Sequence, residues 1–180
     1  MGLTALALFW GFAEATVFFI VPDVLLSAIA VGRGRRGALY ATAWTTAGAV
    51  FGGLLMYGWA TRDGAAAIAI LDRLPAISPA MIAGVGDALD RRGAGAMAIG
   101  ALSGVPYKIY AVMAPRTGVP IVLFLALSVP ARALRFLIVV LLSDAMSRRL
   151  GRWLTLRQRA GLLASIWLLF YAVYFAAMPN

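Results

Sequence analysis

Apolar residues fall into five long runs, separated by stretches rich in charge, glycine or proline. The first run, residues 3–31, is broken by Glu14, Pro22 and Asp23. A basic segment follows, Gly32-Arg33-Gly34-Arg35-Arg36-Gly37, whose glycines predict a loop. The second run, 38–60, carries no charge; as a helix it would be about 34 Å long, enough to cross a bilayer. Within it, Gly48 and Gly52 form a GxxxG spacing that lets another helix approach closely, expected to be one of the same molecule rather than of a second copy. Residues 61–95 mix apolar and charged positions around Pro75 and Pro79, predicting one or two amphipathic helices lying at the membrane interface. The third run, 96–118, contains Pro106 and Lys108 and closes on Pro115-Arg116-Thr117-Gly118. The fourth, 120–146, opens on Pro120, as helix starts favour, and Pro130 inside it predicts a kink. The fifth, 160–177, is a plain span with Trp167, Tyr171 and Tyr174 as interfacial anchors.

Composition turns these runs into a class. Of the 180 residues, 63% are hydrophobic and 13% are charged, about half the charge of a soluble domain. That excludes a soluble globular enzyme and a disordered chain, and predicts an all-α integral membrane protein. Cysteine and histidine are both absent, which removes disulfides, zinc sites, covalent haem and Cys or His nucleophiles; no cofactor is expected. No secretory leader is expected, because the N-terminus lacks a basic segment and Glu14 interrupts its apolar run.

The net charge of +9 comes from 16 basic residues, of which Lys108 is the one lysine, against seven acids. Nucleic-acid binding is not expected, since no basic stripe with interleaved aromatics lies outside the apolar runs. The arginines flank spans instead. If all five runs crossed, segments 32–37 and 147–159 would lie on opposite sides, although both carry only positive charge. The positive-inside rule puts both in the cytoplasm, which requires the third run to enter and leave on one face. Proline and lysine in mid-run agree, because broken backbone at membrane depth must line a cavity or be buried in protein. The first run has the same character. Val21-Pro22-Asp23 parallels Val105-Pro106-Tyr107-Lys108, and the next arginine comes eleven residues after Pro22 and ten after Pro106. Two opposed re-entrant helical hairpins, each followed by a transmembrane helix, make an inverted repeat, with a C-terminal transmembrane helix added. Transporters use such repeats to place a substrate site near mid-membrane.

Glu14, Asp23, Lys108, Arg132 and Arg135 lie inside apolar runs. Left unpaired, five such groups would cost about 12–18 kcal/mol, so they must pair, reach water or bind something. Arg132 and Arg135, three apart, share a helix face. Two acids facing three bases leave one positive charge, or two if Arg116 reaches the site, which leaves room for an anion. Arginine's fork suits phosphate oxygens. Glu14, the one glutamate, is the candidate proton carrier, with Asp23 beside it. The plain structural alternative is that the arginines pair with the acids and hold the bundle together.

These residues resemble a known family. Phe12-Ala13-Glu14 followed by Val21-Pro22-Asp23, the glycine-rich 48–58 with Tyr57, Val105-Pro106-Tyr107-Lys108, and Pro130-Ala131-Arg132-Ala133-Leu134-Arg135-Phe136 resemble in order and spacing the DedA family, also called the SNARE-associated or VTT domain, and its small YqaA-like branch. The resemblance spans roughly residues 9–150. It departs in lacking a glycine between Pro22 and Asp23, and in having Lys108 where relatives carry an arginine one position later. It implies opposed re-entrant hairpins with tips at Pro22 and Pro106, a bacterial cytoplasmic membrane, and transport of a phosphate-bearing lipid such as undecaprenyl phosphate or a phospholipid. It implies proton coupling through Glu14 and Asp23. Lys108, Arg132 and Arg135, with Tyr107 and Arg116, would form the headgroup site. Two other functions stand beside it: a non-transporting scaffold that binds partners or anionic lipids, and, more weakly, a membrane enzyme acting on lipid phosphates.

Overall fold

The computed structural model describes residues 2–177, and among them every regular element is a helix. Helix α1 (Gly2–Thr16) ends where Thr16 turns its hydroxyl back onto the Phe12 and Ala13 carbonyls. Residues 17–22 then turn the chain; the β-branched and aromatic run before Pro22 disfavours further helix. Helix α2 (Asp23–Arg62) is interrupted at one residue, Gly34, whose φ of 72° and ψ of −178° are open to glycine alone. It therefore has a return arm, 23–33, and a long arm, 35–62. The expected loop at 32–37 is corrected to this single break, because arginines are good helix formers and only Gly34 leaves helical geometry. A Cβ at Gly34 would meet no atom within 4 Å, so Gly34→Ala tests backbone strain alone; it should lower stability by about 1–3 kcal/mol, read as an earlier thermal melt in detergent.

Three helices are long and apolar enough to cross a membrane: α2, α7 (Ile121–Leu150) and α8 (Leu156–Ala177). Helix α7 continues through Pro130 without a break, so the linker to α8 is only 151–155 rather than 147–159. Between α2 and α7 lie short elements. Helices α3 (Gly64–Leu71) and α4 (Pro79–Arg92) start on side-chain caps from Asp63 and Ser78. Helix α5 (Ala96–Ser103) is stopped by Gly104 at φ 83°, and α6 (Tyr107–Met113) starts after Pro106. At eight and seven residues, α5 and α6 are each about 10–12 Å long, too short to span alone.

Small residues set the packing. A Cβ at Gly48 would lie 1.9 Å from the Leu8 carbonyl oxygen, and one at Gly52 would lie 2.7 Å from that of Phe12. Helix α1 therefore lies backbone to backbone along the long arm, with contacts in the same order on both, so the two run parallel. The GxxxG spacing serves packing within the chain, as expected. The return arm runs back the other way between them in sequence. Gly100 and the Tyr110 ring come together in the same manner across α5 and α6.

These contacts define two ends of the molecule. At one, Val31 and Gly32 border Leu156, and Val31 shares a groove with Leu150 and Arg159; the arginines around Gly34 and those of 148–159 thus gather at the same end. At the other, Arg116 abuts Gly64, and the Tyr57 hydroxyl donates to the Val119 carbonyl at 2.9 Å. The largest apolar core lies towards this second end, where α3 and α6 pack on the long arm, α4 packs on α6, and Leu71, Ile82, Leu89 and Ile109 share a cluster with Phe124 of α7. A smaller core, with Leu26, Ile29, Phe136 and Val140, joins the return arm to α7. Elsewhere large apolar side chains face outward, Val122 at 74% and Leu168 at 72% exposure among them, as lipid-facing surfaces require.

Candidate functional site: a charged cavity between two turns

The turn at 17–22 and the turn at 104–106 meet in the interior. The Lys108 ammonium donates to the Phe18 carbonyl at 2.6 Å, tying the two turns together. Trp10 secures the first turn by donating to the Ile20 carbonyl at 3.0 Å.

Helix α7 supplies two guanidinium groups one turn apart. Arg132 forms a buried ion pair with Glu14, and its guanidinium carbon lies 4.5 Å from the centre of the Tyr107 ring and 5.0 Å from that of Phe136. Arg135 donates to one oxygen of Asp23 through Nε at 3.1 Å and Nη2 at 2.5 Å, and through Nη1 to the Ala101 carbonyl at 3.4 Å. The other Asp23 oxygen is buried without a partner, as is Arg132 Nε. Glu14, Asp23, Lys108 and Arg132 are all buried, while the Arg135 side chain keeps 24% exposure. Lys108 is held by a carbonyl and forms no ion pair among the described residues, so the cluster of two acids and three bases keeps one positive charge in excess.

Beside the cluster lies a cavity of about 620 Å³. The wall it shares with the cluster carries Glu14, Asp23, Lys108 and Arg135, and Ile138, Val139, Ile166 and Phe170 are also in the lining, so charged and apolar side chains face one space. Arg132 and Tyr107 stand behind this wall, around a separate void of about 20 Å³ with Ser128. Tyr107 stacks on Phe124 at 5.9 Å and 17°, and Gly53 leaves room for its hydroxyl.

Of the residues expected at the site, Glu14, Asp23, Lys108, Arg132 and Arg135 are brought together, with Tyr107 supporting Arg132 and Pro106 on the cavity wall. Pro22 begins the return arm, one residue before Asp23. Arg116 is corrected: it is exposed in a short turn against Gly64 and does not line the cavity. Trp167 and Tyr171 are corrected too. Rather than standing free as surface anchors, they fasten α8 to the return arm and the first turn. Trp167 donates to the Ser27 hydroxyl at 3.0 Å, and the Tyr171 hydroxyl accepts from the Val21 N–H at 2.8 Å. Both line the cavity, as do Pro75 and Ile77 from the α3–α4 linker; the alternation of apolar and aromatic residues in α8 carried no signal of this. Another missed residue is Asp144, buried on α7 and paired at 2.5 Å with Arg148. Tyr171→Phe should leave the Val21 N–H without its acceptor and cost about 1–3 kcal/mol, seen as an earlier melt and faster proteolysis of the 151–155 linker.

The chain matches no family model, no curated protein and no solved structure.

Proposed function

We propose that this chain is a membrane lipid transporter of the DedA/VTT type, moving a phosphate-bearing lipid such as undecaprenyl phosphate or a phospholipid across a bacterial cytoplasmic membrane. In this reading α2, α7 and α8 span the bilayer with the arginine-rich end in the cytoplasm. Helix α1 with the return arm, and α5 with α6, are re-entrant hairpins entering from opposite faces. The observation that carries it is the cavity itself: the Lys108 ammonium, which has no ion-pair partner among the described residues, and the partly open Arg135 share its lining with apolar side chains, the two chemistries of a lipid phosphate.

Lys108 and the partly open Arg135 would take the phosphate oxygens. A phosphate on Arg135 competes with Asp23 for the same N–H groups, and the released carboxylate, or Glu14 next to it, would take up a proton as the headgroup moves. Coupling to protons follows from that exchange.

Reconstitution into liposomes tests this, with fluorescent phospholipid or polyprenyl phosphate followed by quenching of the outer leaflet. Lys108→Gln removes the unpaired charge without orphaning an acid and should slow flipping about tenfold or more. Glu14→Gln should abolish the response to a pH gradient. Parental rates in both variants would reject the site. The closed ion pairs favour a second reading, a scaffold whose interior charges only hold helices together. It predicts no flipping by the parent protein and no effect of Lys108→Gln on any lipid readout.

A further inference from the structure

A second compartment adjoins the headgroup cavity. Between the first turn with its return arm and α8 runs a groove of about 570 Å³, walled by Val24, Ala28 and Val31 on one side and Ala160, Leu163 and Ala164 on the other. It exists because alanines face it from both walls, so two helices tethered by Trp167 and Tyr171 leave a gap between them. Those same two side chains line the headgroup cavity, so groove and cavity lie against the same pair of rings. Their polar atoms are engaged by Ser27 and Val21. From Leu156 to Tyr171 the groove follows α8 for about 22 Å, more than the roughly 15 Å depth of one leaflet's hydrocarbon.

We propose that this groove is the hydrocarbon-chain site for the amphiphile whose phosphate occupies the cavity, with one long chain leaving beside the Trp167 and Tyr171 rings and lying along α8. The inference rests on the lipid reading above and adds where the chain goes. Elsewhere along α8, one space of about 230 Å³ is bridged by Arg159 bonding to Ser147 at 2.9 Å, and another of about 510 Å³ is lined by α8 residues alone and has no second wall. A chain leaving the cavity therefore finds walls on both sides, free of a polar bridge across them, on the α2 side.

Photolabelling decides it. The probe is phosphatidic acid with a diazirine at the end of one acyl chain, at low mole fraction in phosphatidylcholine nanodiscs holding the full chain. Label should concentrate on residues 24–32 and 156–168 and be displaced by unlabelled phosphatidic acid but not by more phosphatidylcholine. Ala164→Trp and Ala28→Leu, which fill the groove from opposite walls, should each cut that label about fivefold. Lys108→Gln should weaken the displacement, because the head no longer anchors the chain. Label spread evenly over the lipid-facing helices, label centred on Leu142 and Leu162, or label unchanged in both groove variants would overturn the proposal. Val122→Trp, on an exposed part of α7, controls for a bulky side chain. Flipping assays on the same proteins separate the two claims. Groove labelling without flipping rejects transport alone, and flipping without groove labelling rejects the chain site alone.

Discussion

Arg132→Ala is expected to lower the melting temperature in detergent by about 10 °C or more and, under the proposed lipid-transport reading, to end flipping in liposomes. The substitution leaves the Glu14 carboxylate buried, at 6% exposure, without its ion-pair partner. Breaking one side of a buried ion pair costs about 3–5 kcal/mol, because the remaining charge stays desolvated. The Tyr107 and Phe136 rings also lose the cation between them. Loss of activity in this variant would not by itself separate a role in transport from a role in folding. Glu14→Leu combined with Arg132→Met does separate them. Replacing both charges with apolar groups of similar volume is often neutral or stabilising, so the double variant should melt near the parent. If the pair serves transport, this well-folded protein is still inactive. A double variant that flips lipid at the parental rate would mean the pair is packing only.

Gly48→Ala should damage the fold about as severely. The added methyl would sit 1.9 Å from the Leu8 carbonyl oxygen and 3.0 Å from the Phe12 nitrogen, both backbone atoms that no change of rotamer can move. The helices must separate, and overpacking of this kind costs about 3 kcal/mol or more. Because α1 carries Glu14, the shift also draws the carboxylate away from Arg132. Gly58→Ala is the matched control: the same substitution in the same helix, where a Cβ meets nothing within 4 Å. It should be neutral or stabilise slightly, by about 0.5–1 kcal/mol, from the better helix propensity of alanine. Tryptophan fluorescence melts of the two proteins side by side test the contrast. Equal melts would show that the α1–α2 contact is looser than its geometry states.

The sequence carried the cluster because charge in an apolar run is costly enough to constrain where it goes. Glu14 and Arg132 are 118 residues apart, yet few other partners exist for either inside the runs. The gathering of both basic segments at one end was legible for a related reason, since like-signed flanks imply a shared side. Other features left no such mark. Tyr171 and Trp167 read as interfacial anchors, because an aromatic that bonds a neighbouring helix and one that bonds water look alike in a single span. The glycines around Arg33 read as a loop, although only Gly34 leaves helical geometry and its neighbours do not. Asp144, near the end of its run, is not among the interior charges expected from the sequence, and the fold buries it. Arg116 was placed by spacing alone, and the turn at 115–117 carries it outward.

The two interior ion pairs also set a timetable for making the protein. Asp23 and Arg135 are separated by 112 residues, and Glu14 and Arg132 by 118. At a synthesis rate of about 5–20 residues per second, the acids emerge roughly 6–24 s before their bases. Through that interval the nascent N-terminal segment holds two carboxyl groups that hydrocarbon would reject, so it must wait in the insertion machinery or at the water boundary until the fourth apolar run is delivered. Completion of α7 is then the step that admits the beginning of the chain to the interior.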